Sequence, residues 1–303
     1  MRQFHPSAGV ARLCGLFGKT RQAMYDAEWR QTDELMQEEL IVKMVIMTRK
    51  DLQQPKLGGL KLYNVLKGKI TEHGMKIGRD AFFRLLRQND LLVKRKKRYV
   101  ITTMSKHHFK KWPNLIQDID IQHPEQVWVS DITYLRTETG FVYLSLITDA
   151  YSRKIMGFHL SQELKAKGCV IALKKALKER KYPDRKLIHH SDRGIQYCCD
   201  QYVSLLLDHK IQISMTQSGS PYDNAIAERV NGILKTELGL DKTFKGYFDA
   251  LEPLAAAVFT YNNLRPHMSC NLLTPEQAHH HNGNLKKRWK NRPNENRQYL
   301  QLQ

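Results

Sequence analysis

The sequence predicts an α/β domain built on a mixed sheet and preceded by a helical, strongly basic region. In residues 1–112 the apolar positions recur at helical spacing, whereas from residue 127 onward they gather into strand-length runs rich in β-branched and aromatic residues. Those runs come first as hairpins and then alternate with helical segments, the order of an α/β domain with a mixed sheet. The charge divides at the same place. Of 303 residues, 49 are Lys or Arg and 30 are Asp or Glu, a formal net charge of +19. Residues 1–112 hold 24 basic and 10 acidic residues, residues 286–303 hold six and one, and residues 113–285 hold 19 of each. Three parts are therefore expected: a basic helical region over 1–112, a neutral body over 113–285 and a basic tail over 286–303. The first seam is placed at Trp112-Pro113, because proline turns the preceding residue away from helix.

In the basic region, Val10, Leu13, Leu16 and Phe17 share one helix face. Gly18-Lys19-Thr20 reads as a turn, with Thr20 able to cap a second helix from Arg21 to about Trp29. A short glycine-containing turn between two helices is helix-turn-helix grammar. Further helices are expected over about Asp33–Thr48, Leu60–Ile70 and Asp80–Gln88, with turns at His73-Gly74-Met75 and Gln88-Asn89-Asp90. No sustained heptad pattern is evident before residue 112.

In the body, strands are expected at Val127–Leu135, Phe141–Thr148 and Ile155–Leu160. The first two are joined through Thr137-Glu138-Thr139-Gly140, and Ser152-Arg153-Lys154 turns into the third. A helix over Ser161–Lys181, a strand at Leu187–His190, a helix over Asp200–Lys210 and a strand at Ile211–Met215 follow. Helices over about Pro221–Leu238 and Lys245–Leu264 close the domain.

Composition excludes several classes. An apolar share of 41% is enough for a core. No apolar run approaches the ~18 residues of a membrane span, and the N-terminus lacks the apolar stretch of a signal peptide. Five cysteines without CxxC spacing argue against a disulfide framework or a Cys-rich zinc site, and the cytoplasm is the expected compartment. The excess of positive charge points to a polyanion, most often nucleic acid. The run Lys94-Arg95-Lys96-Lys97-Arg98 is either a solvated linker or a phosphate grip; in both cases it reads no base sequence.

Three acids stand where a fold alone has little use for them. Asp131 lies inside the strand-like VWVSDITY, where a carboxylate is costly unless paired or bound to a cation. Asp192 follows a short apolar strand in LIHHSDRGIQY, and strand ends opening onto loops are where α/β sheets bind ligands. Gly194 is expected to let the backbone turn sharply there. Glu228 lies on a helix whose start reads as Ser220 (N-cap), Pro221 and Asp223. On that helix Asn224, Glu228, Asn231 and Lys235 form one polar stripe, which alone would suit a solvated face. Together the three acids suggest divalent-metal phosphoryl transfer, since magnesium takes a few hard oxygen ligands plus substrate phosphate.

At these residues the sequence resembles a known family. WVSDITY, HSDRGIQY and SPYDNAIAERVNGILKTE closely resemble the catalytic core of the DDE transposase–retroviral integrase superfamily, and within it the transposases of insertion sequence family 3. The 35 residues between Asp192 and Glu228, Lys235 seven beyond Glu228, YNNLRPH (261–267) and LLTPEQA (272–278) match that family. The likeness is strong over about 120–280. It is looser over the N-terminal third, where Gly58-Gly59 and KRKKR take part.

The resemblance implies an RNase H-like fold with a five-stranded mixed sheet flanked by helices. Asp131, Asp192 and Glu228 would be catalytic and would hold two Mg2+ or Mn2+ ions. It implies cleavage at transposon ends, and 3′-OH strand transfer without a covalent protein–DNA intermediate. Double-stranded DNA would be the partner, bound by an oligomer of this chain and, in the cell, in the nucleoid. Lys235, Asn224 and Arg193 are candidate contacts near the scissile phosphate, and Lys19 and Arg21 are candidates in the helix-turn-helix. The family also implies a possible fusion to an upstream-frame product.

Other groups rank lower. Asp149 reads as structural, His279-His280-His281 as a mobile tail able to pick up a metal adventitiously, and Ser191 beside His190 as a pair with no third orienting group. His107-His108 and the scattered cysteines do not form the zinc module of retroviral integrases. Two alternatives stay open: a DNA-binding regulator or inactive relic that occupies transposon ends, and an RNase H-type nuclease. The complete triad of acids favours the transposase over the first, and the helix-turn-helix with YNNLRPH favours it over the second.

Overall fold

A computed structural model describes residues 10–16, 18–93, 110–117, 119–217 and 224–285. KRKKR, His107-His108, Ser220, Pro221, Asp223 and the tail 286–303 lie outside these residues. The chain forms two compact units. One runs to Asp51 and resumes at Gly58; the other takes Leu52–Leu57 and the described residues from 110 onward.

The first unit is helical: α1 (Val10–Leu16), α2 (Arg21–Asp51), α3 (Gly59–Glu72) and α4 (Arg79–Gln88). The hydroxyl oxygen of Thr20 accepts the Ala23 amide at 3.0 Å, so the expected cap is made. The two helices expected over Arg21–Trp29 and Asp33–Thr48 are one helix of 31 residues. Gln31, Thr32 and Asp33 contain no glycine or proline, and nothing in them stops the helical hydrogen bonding. Ile41 and Val45 of α2, Leu66 of α3 and Phe82 and Leu86 of α4 are buried in this unit. Gly59 is a matter of space, since a Cβ there would come within 3.1 Å of Phe83 and Leu86 on α4. Between α3 and α4, Gly74 takes φ +74°, a conformation that suits glycine.

The second unit is built on a mixed sheet. Its strands are β1 (Val127–Thr137), β2 (Gly140–Asp149), β3 (Ile155–Ser161), β4 (Ile188–Ser191) and β5 (Gln212–Met215), in the spatial order β3-β2-β1-β4-β5. The first three are antiparallel neighbours, while β4 pairs parallel with β1 and β5 parallel with β4. This is the RNase H-like arrangement. The sequence missed a sixth strand, β6 (Thr243–Phe244), too short to carry a pattern; it pairs with the end of β1. The tight β1–β2 hairpin needs Gly140, whose φ is +138°.

Both sheet faces are covered, which explains why the strands read as nearly continuous apolar runs. On one face Leu135, Leu144 and Leu146 pack against α8 (Ala225–Thr236) and α9 (Tyr247–Phe259). On the other, Trp128, Ile147 and Met156 pack against α5 (Ala166–Lys178), α6 (Ile195–Cys198) and α7 (Asp200–Asp208). The expected Ser161–Lys181 helix thus begins later, at Ala166, and the Pro221–Leu238 helix is described from Ala225.

YNNLRPH is a fastener rather than an exposed motif. It forms a π-helical turn over Thr260–Leu264. There Asn262 accepts the Ile155 amide (2.9 Å) and donates to the Ile155 carbonyl (3.0 Å), tying this turn to β3. The guanidinium of Arg265 donates twice to Glu237 Oε2, at 3.0 and 2.8 Å, and so anchors the residue that follows α8.

The histidine run departs from expectation. His279 ends α10 (Pro275–His279) and is fully buried. Its ring nitrogens lie 2.9 Å from Ser152 Oγ and 3.3 Å from Glu125 Oε1. Ser152 Oγ donates to Asp149 at 2.8 Å, and Asp149 also accepts the Glu125 amide at 2.7 Å. Buried acids need partners, and this histidine is one of them, which is why the segment is docked and not a mobile tail. No helix among the described residues is long and apolar enough to cross a membrane.

Gly157 on β3 sits directly under α5: a Cβ there would lie 2.7 Å from Ala176 N and clash with Ala172 O. Gly157→Ala is expected to cost roughly 3 kcal/mol of stability by overpacking, measured by urea unfolding.

Candidate active site

The parallel pairing of β1 with β4 creates the site. Val127, Trp128 and Val129 pair with Ile188, His189 and His190. Asp131 is two residues beyond Val129, and Asp192 is two beyond His190, so the two acids stand at equivalent positions where the strands part. Ser191 does not couple to His190; its hydroxyl donates to the Asp192 carbonyl at 3.0 Å, while His190 Nδ1 lies 2.8 Å from Ser214 Oγ.

The polar stripe of α8 faces β1 rather than solvent. Asn224 Nδ2 donates to the Ser130 carbonyl at 2.9 Å, and Asn231 Nδ2 donates to Asp131 Oδ2 at 2.7 Å. Both asparagines are buried, and their amide oxygens have no hydrogen-bond partner. Glu228, on the same helix between them, is partly buried. Lys235, one turn beyond Asn231, holds its ammonium 4.4 Å from the centroid of the Tyr134 ring on β1. Burial lowers the pKa of Lys235, Asp131 opposes that fall and Arg136 adds to it.

Electrostatics mark Asp131 as the centre. Burial pushes its carboxyl up to about 7, and repulsion from Asp192 and Glu228 adds to the rise; the Ile132 amide and Asn231 pull the other way. Burial raises Asp192 too, opposed by the Gly194 amide, which donates to Asp192 Oδ1 at 2.9 Å. The chain bends at Arg193, between β4 and α6, but Gly194 takes a φ of −63°, open to any residue, so the bend does not use glycine's conformational freedom. The use of Gly194 is space: a Cβ would meet Asp192 Oδ1 at 2.9 Å. Behind the acids, burial and then His190 push His189 down to about 3, so it is neutral; its Nε2 lies 2.6 Å from Ser130 Oγ and 2.9 Å from Tyr202 OH.

Thus Asp131, Asp192, Glu228, Asn224, Asn231 and Lys235 are brought to one place. The acids do not close into a cage: among the described residues no three His, Cys, Asp or Glu side chains are close enough together to hold an ion. Ionised carboxylates repel one another. The donors are nonetheless of the kind a hard divalent cation takes, and the Asn224 and Asn231 amide oxygens are buried without a partner. Arg193 directly follows Asp192 and is partly buried. Lys19 is exposed in the turn before α2, and Arg21 opens that helix, in the first unit.

Known families and proteins resemble this chain over the segment that holds these residues. The integrase core domain family matches residues 121–221, and a second integrase core domain family matches 209–275. A 31 kDa protein of insertion element IS600 from Shigella sonnei is 31% identical over 87% of this chain and 96% of its own length. Transposase InsF of insertion sequence IS3A from Escherichia coli is 36% identical over 65% of this chain and 69% of its own. The chain belongs to the insertion sequence family 3 transposases. The HTLV-2 integrase catalytic core domain, solved in complex with magnesium, is 19% identical over 52% of this chain and 98% of that one, at a TM-score of 0.40. Against this family background, the β1–β4 register and the α8 stripe are the structural form of the motifs.

The pKa of Asp131 carries a pH prediction. Its folded value, about 7, lies above the ordinary 3.8, so the folded state binds the proton more tightly than the unfolded chain. The ionised carboxylate therefore costs stability, a cost absent at low pH that grows from about pH 4 and is complete above about pH 7. Asp131→Asn in metal-free protein is expected to raise the urea midpoint at pH 8 and leave it nearly unchanged at pH 4.

Proposed function

We propose that this transposase cuts DNA at transposon ends to expose a 3′-OH and joins that hydroxyl to target DNA, with Asp131, Asp192 and Glu228 as its catalytic carboxylates. The observation that carries this reading is the β1–β4 register, which sets Asp131 beside Asp192, with the Asn231–Asp131 bond holding the Glu228-bearing face of α8 against them. These three residues would hold two Mg2+ or Mn2+ ions, which when bound polarise the phosphate oxygens and offset charge on the attacking and leaving oxygens.

The remaining roles belong to the chain's own groups. Asn231 holds the Asp131 carboxylate against rotation through its hydrogen bond. Asn224 pins the start of α8 to β1 through Ser130 and is itself buried, whereas Lys235 and Arg193 are only partly buried and are the better placed DNA contacts. Lys235 is held beside the site by the Tyr134 ring and can meet a phosphate without reading sequence. No protein nucleophile is required, in keeping with the Ser191 hydroxyl being turned to a backbone carbonyl.

The helical unit, with Lys19 and Arg21 at the α1–α2 turn, grips double-stranded DNA, and the chain works as a homo-oligomer on it. The net charge of residues 1–112 supports this division between a DNA-gripping end and a charge-neutral catalytic body.

Each of Asp131→Asn, Asp192→Asn and Glu228→Gln is expected to bring cleavage and joining of a transposon-end oligonucleotide to background while DNA binding persists. Persistent joining by purified Asp192→Asn protein would sink the assignment. Loss of DNA binding in all three would indicate a structural role instead.

A further inference from the structure

Helix α2 uses one face for its own unit and leaves a second one open. Ile41, Val45 and Thr48 are buried. Round the helix from them, Trp29, Met36, Leu40 and Met47 are 76, 66, 43 and 62% exposed. Their spacings of seven, four and seven residues are those of the two seam positions of a heptad. The remaining seam positions between Asp26 and Lys50 are filled by Asp26, Asp33, Lys43 and Lys50, all four exposed. The seam is therefore apolar in four positions and charged in four, acids toward the N-terminus and lysines toward the C-terminus.

This order is self-complementary in one orientation only. About a two-fold axis level with residue 38, position 29 faces 47, 36 faces 40, 33 faces 43 and 26 faces 50. We propose that α2 docks antiparallel on α2 of a second copy of this chain, Trp29 against the partner's Met47 and Met36 against the partner's Leu40, with Asp33 and Asp26 meeting the partner's Lys43 and Lys50. Each contact then occurs twice, as a two-fold interface requires. A parallel pairing would set Asp26, Asp33, Lys43 and Lys50 each against itself, so charge selects the antiparallel form. Charged seam residues weaken such a contact but fix its register and direction.

The seam from Asp26 to Lys50 is about 36 Å long, and pairing would set the two Gly18–Thr20 turns about 54 Å apart along the helix axis. Each copy would thus present its α1–α2 turn to a separate stretch of DNA. The contact gives the homo-oligomer proposed above a specific surface, and it is tested without DNA so that its failure is separable from failure of the catalytic assignment.

The test is charge exchange in the full chain, followed by sedimentation equilibrium. Asp26→Lys with Asp33→Lys makes the seam all basic; Lys43→Asp with Lys50→Asp makes it all acidic. All four positions are exposed, so circular dichroism should match the unmodified chain. The unmodified chain is expected to dimerise, each variant alone to dimerise roughly tenfold more weakly or worse, and an equal mixture of the two to recover association as a mixed dimer. An unmodified chain that stays monomeric would overturn the proposal, as would variants that associate undiminished. A mixture that fails to recover would overturn the antiparallel register.

Discussion

Two carboxylates at the parting of two parallel strands set the terms for the rest of this molecule. The pairing of β1 with β4 places Asp131 and Asp192 side by side, and α8 adds Glu228. Such a cluster opposes folding, since ionised acids in a partly enclosed site lose hydration and repel one another. The fold accepts the cost because its two packed faces hold the strands in place whether or not the acids are content. A site of this kind is prepared for positive charge, which is the electrostatic logic of a phosphoryl-transfer centre.

The supports of α8 form a chain of single contacts, each with a definite target. Asn224 reaches the Ser130 carbonyl, Asn231 reaches Asp131, and at the far end Glu237 takes two bonds from Arg265. Hydrogen bonds to a charged partner contribute about 1.5–3 kcal/mol each, enough to keep a helix from sliding by a turn. Arg265 in turn follows the π-helical turn that Asn262 ties to β3. The position of Glu228 therefore depends on residues more than thirty positions downstream in a motif that touches no acid of the site.

Much of this was legible beforehand. The first five strands and the mixed sheet followed from periodicity, and Asp131 and Asp192 stood out as carboxylates in costly places. What stayed hidden depended on tertiary pairing. The stripe of Asn224, Glu228, Asn231 and Lys235 was visible as a stripe, but periodicity cannot say which face of a helix meets the sheet. His279 looked like part of a polar tail because its partners, Glu125 and Ser152, are more than 120 residues away. Gly194 and Gly157 serve close approach, which local sequence does not reveal, and β6 is only two residues long. The joining of two expected helices into α2 was missed for a simpler reason: charged and polar residues at 30–34 dilute the apolar pattern without breaking the helix.

Along the sequence, the excess positive charge lies outside residues 113–285, the stretch that carries the three carboxylates. A basic helical end can hold DNA through its phosphates while a carboxylate cluster in a neutral body keeps its affinity for divalent cations. The most direct measurement of that cluster is calorimetric titration of Mn2+ into the intact protein at pH 7, in two buffers of different ionisation enthalpy. Because the Asp131 carboxyl is held up to about 7, binding is expected to release protons, and Asp131→Asn is expected to abolish the release. Mn2+ binding without proton release, or with the same release in Asp131→Asn, would contradict the assignment of Asp131 as the raised-pKa acid that meets the cation.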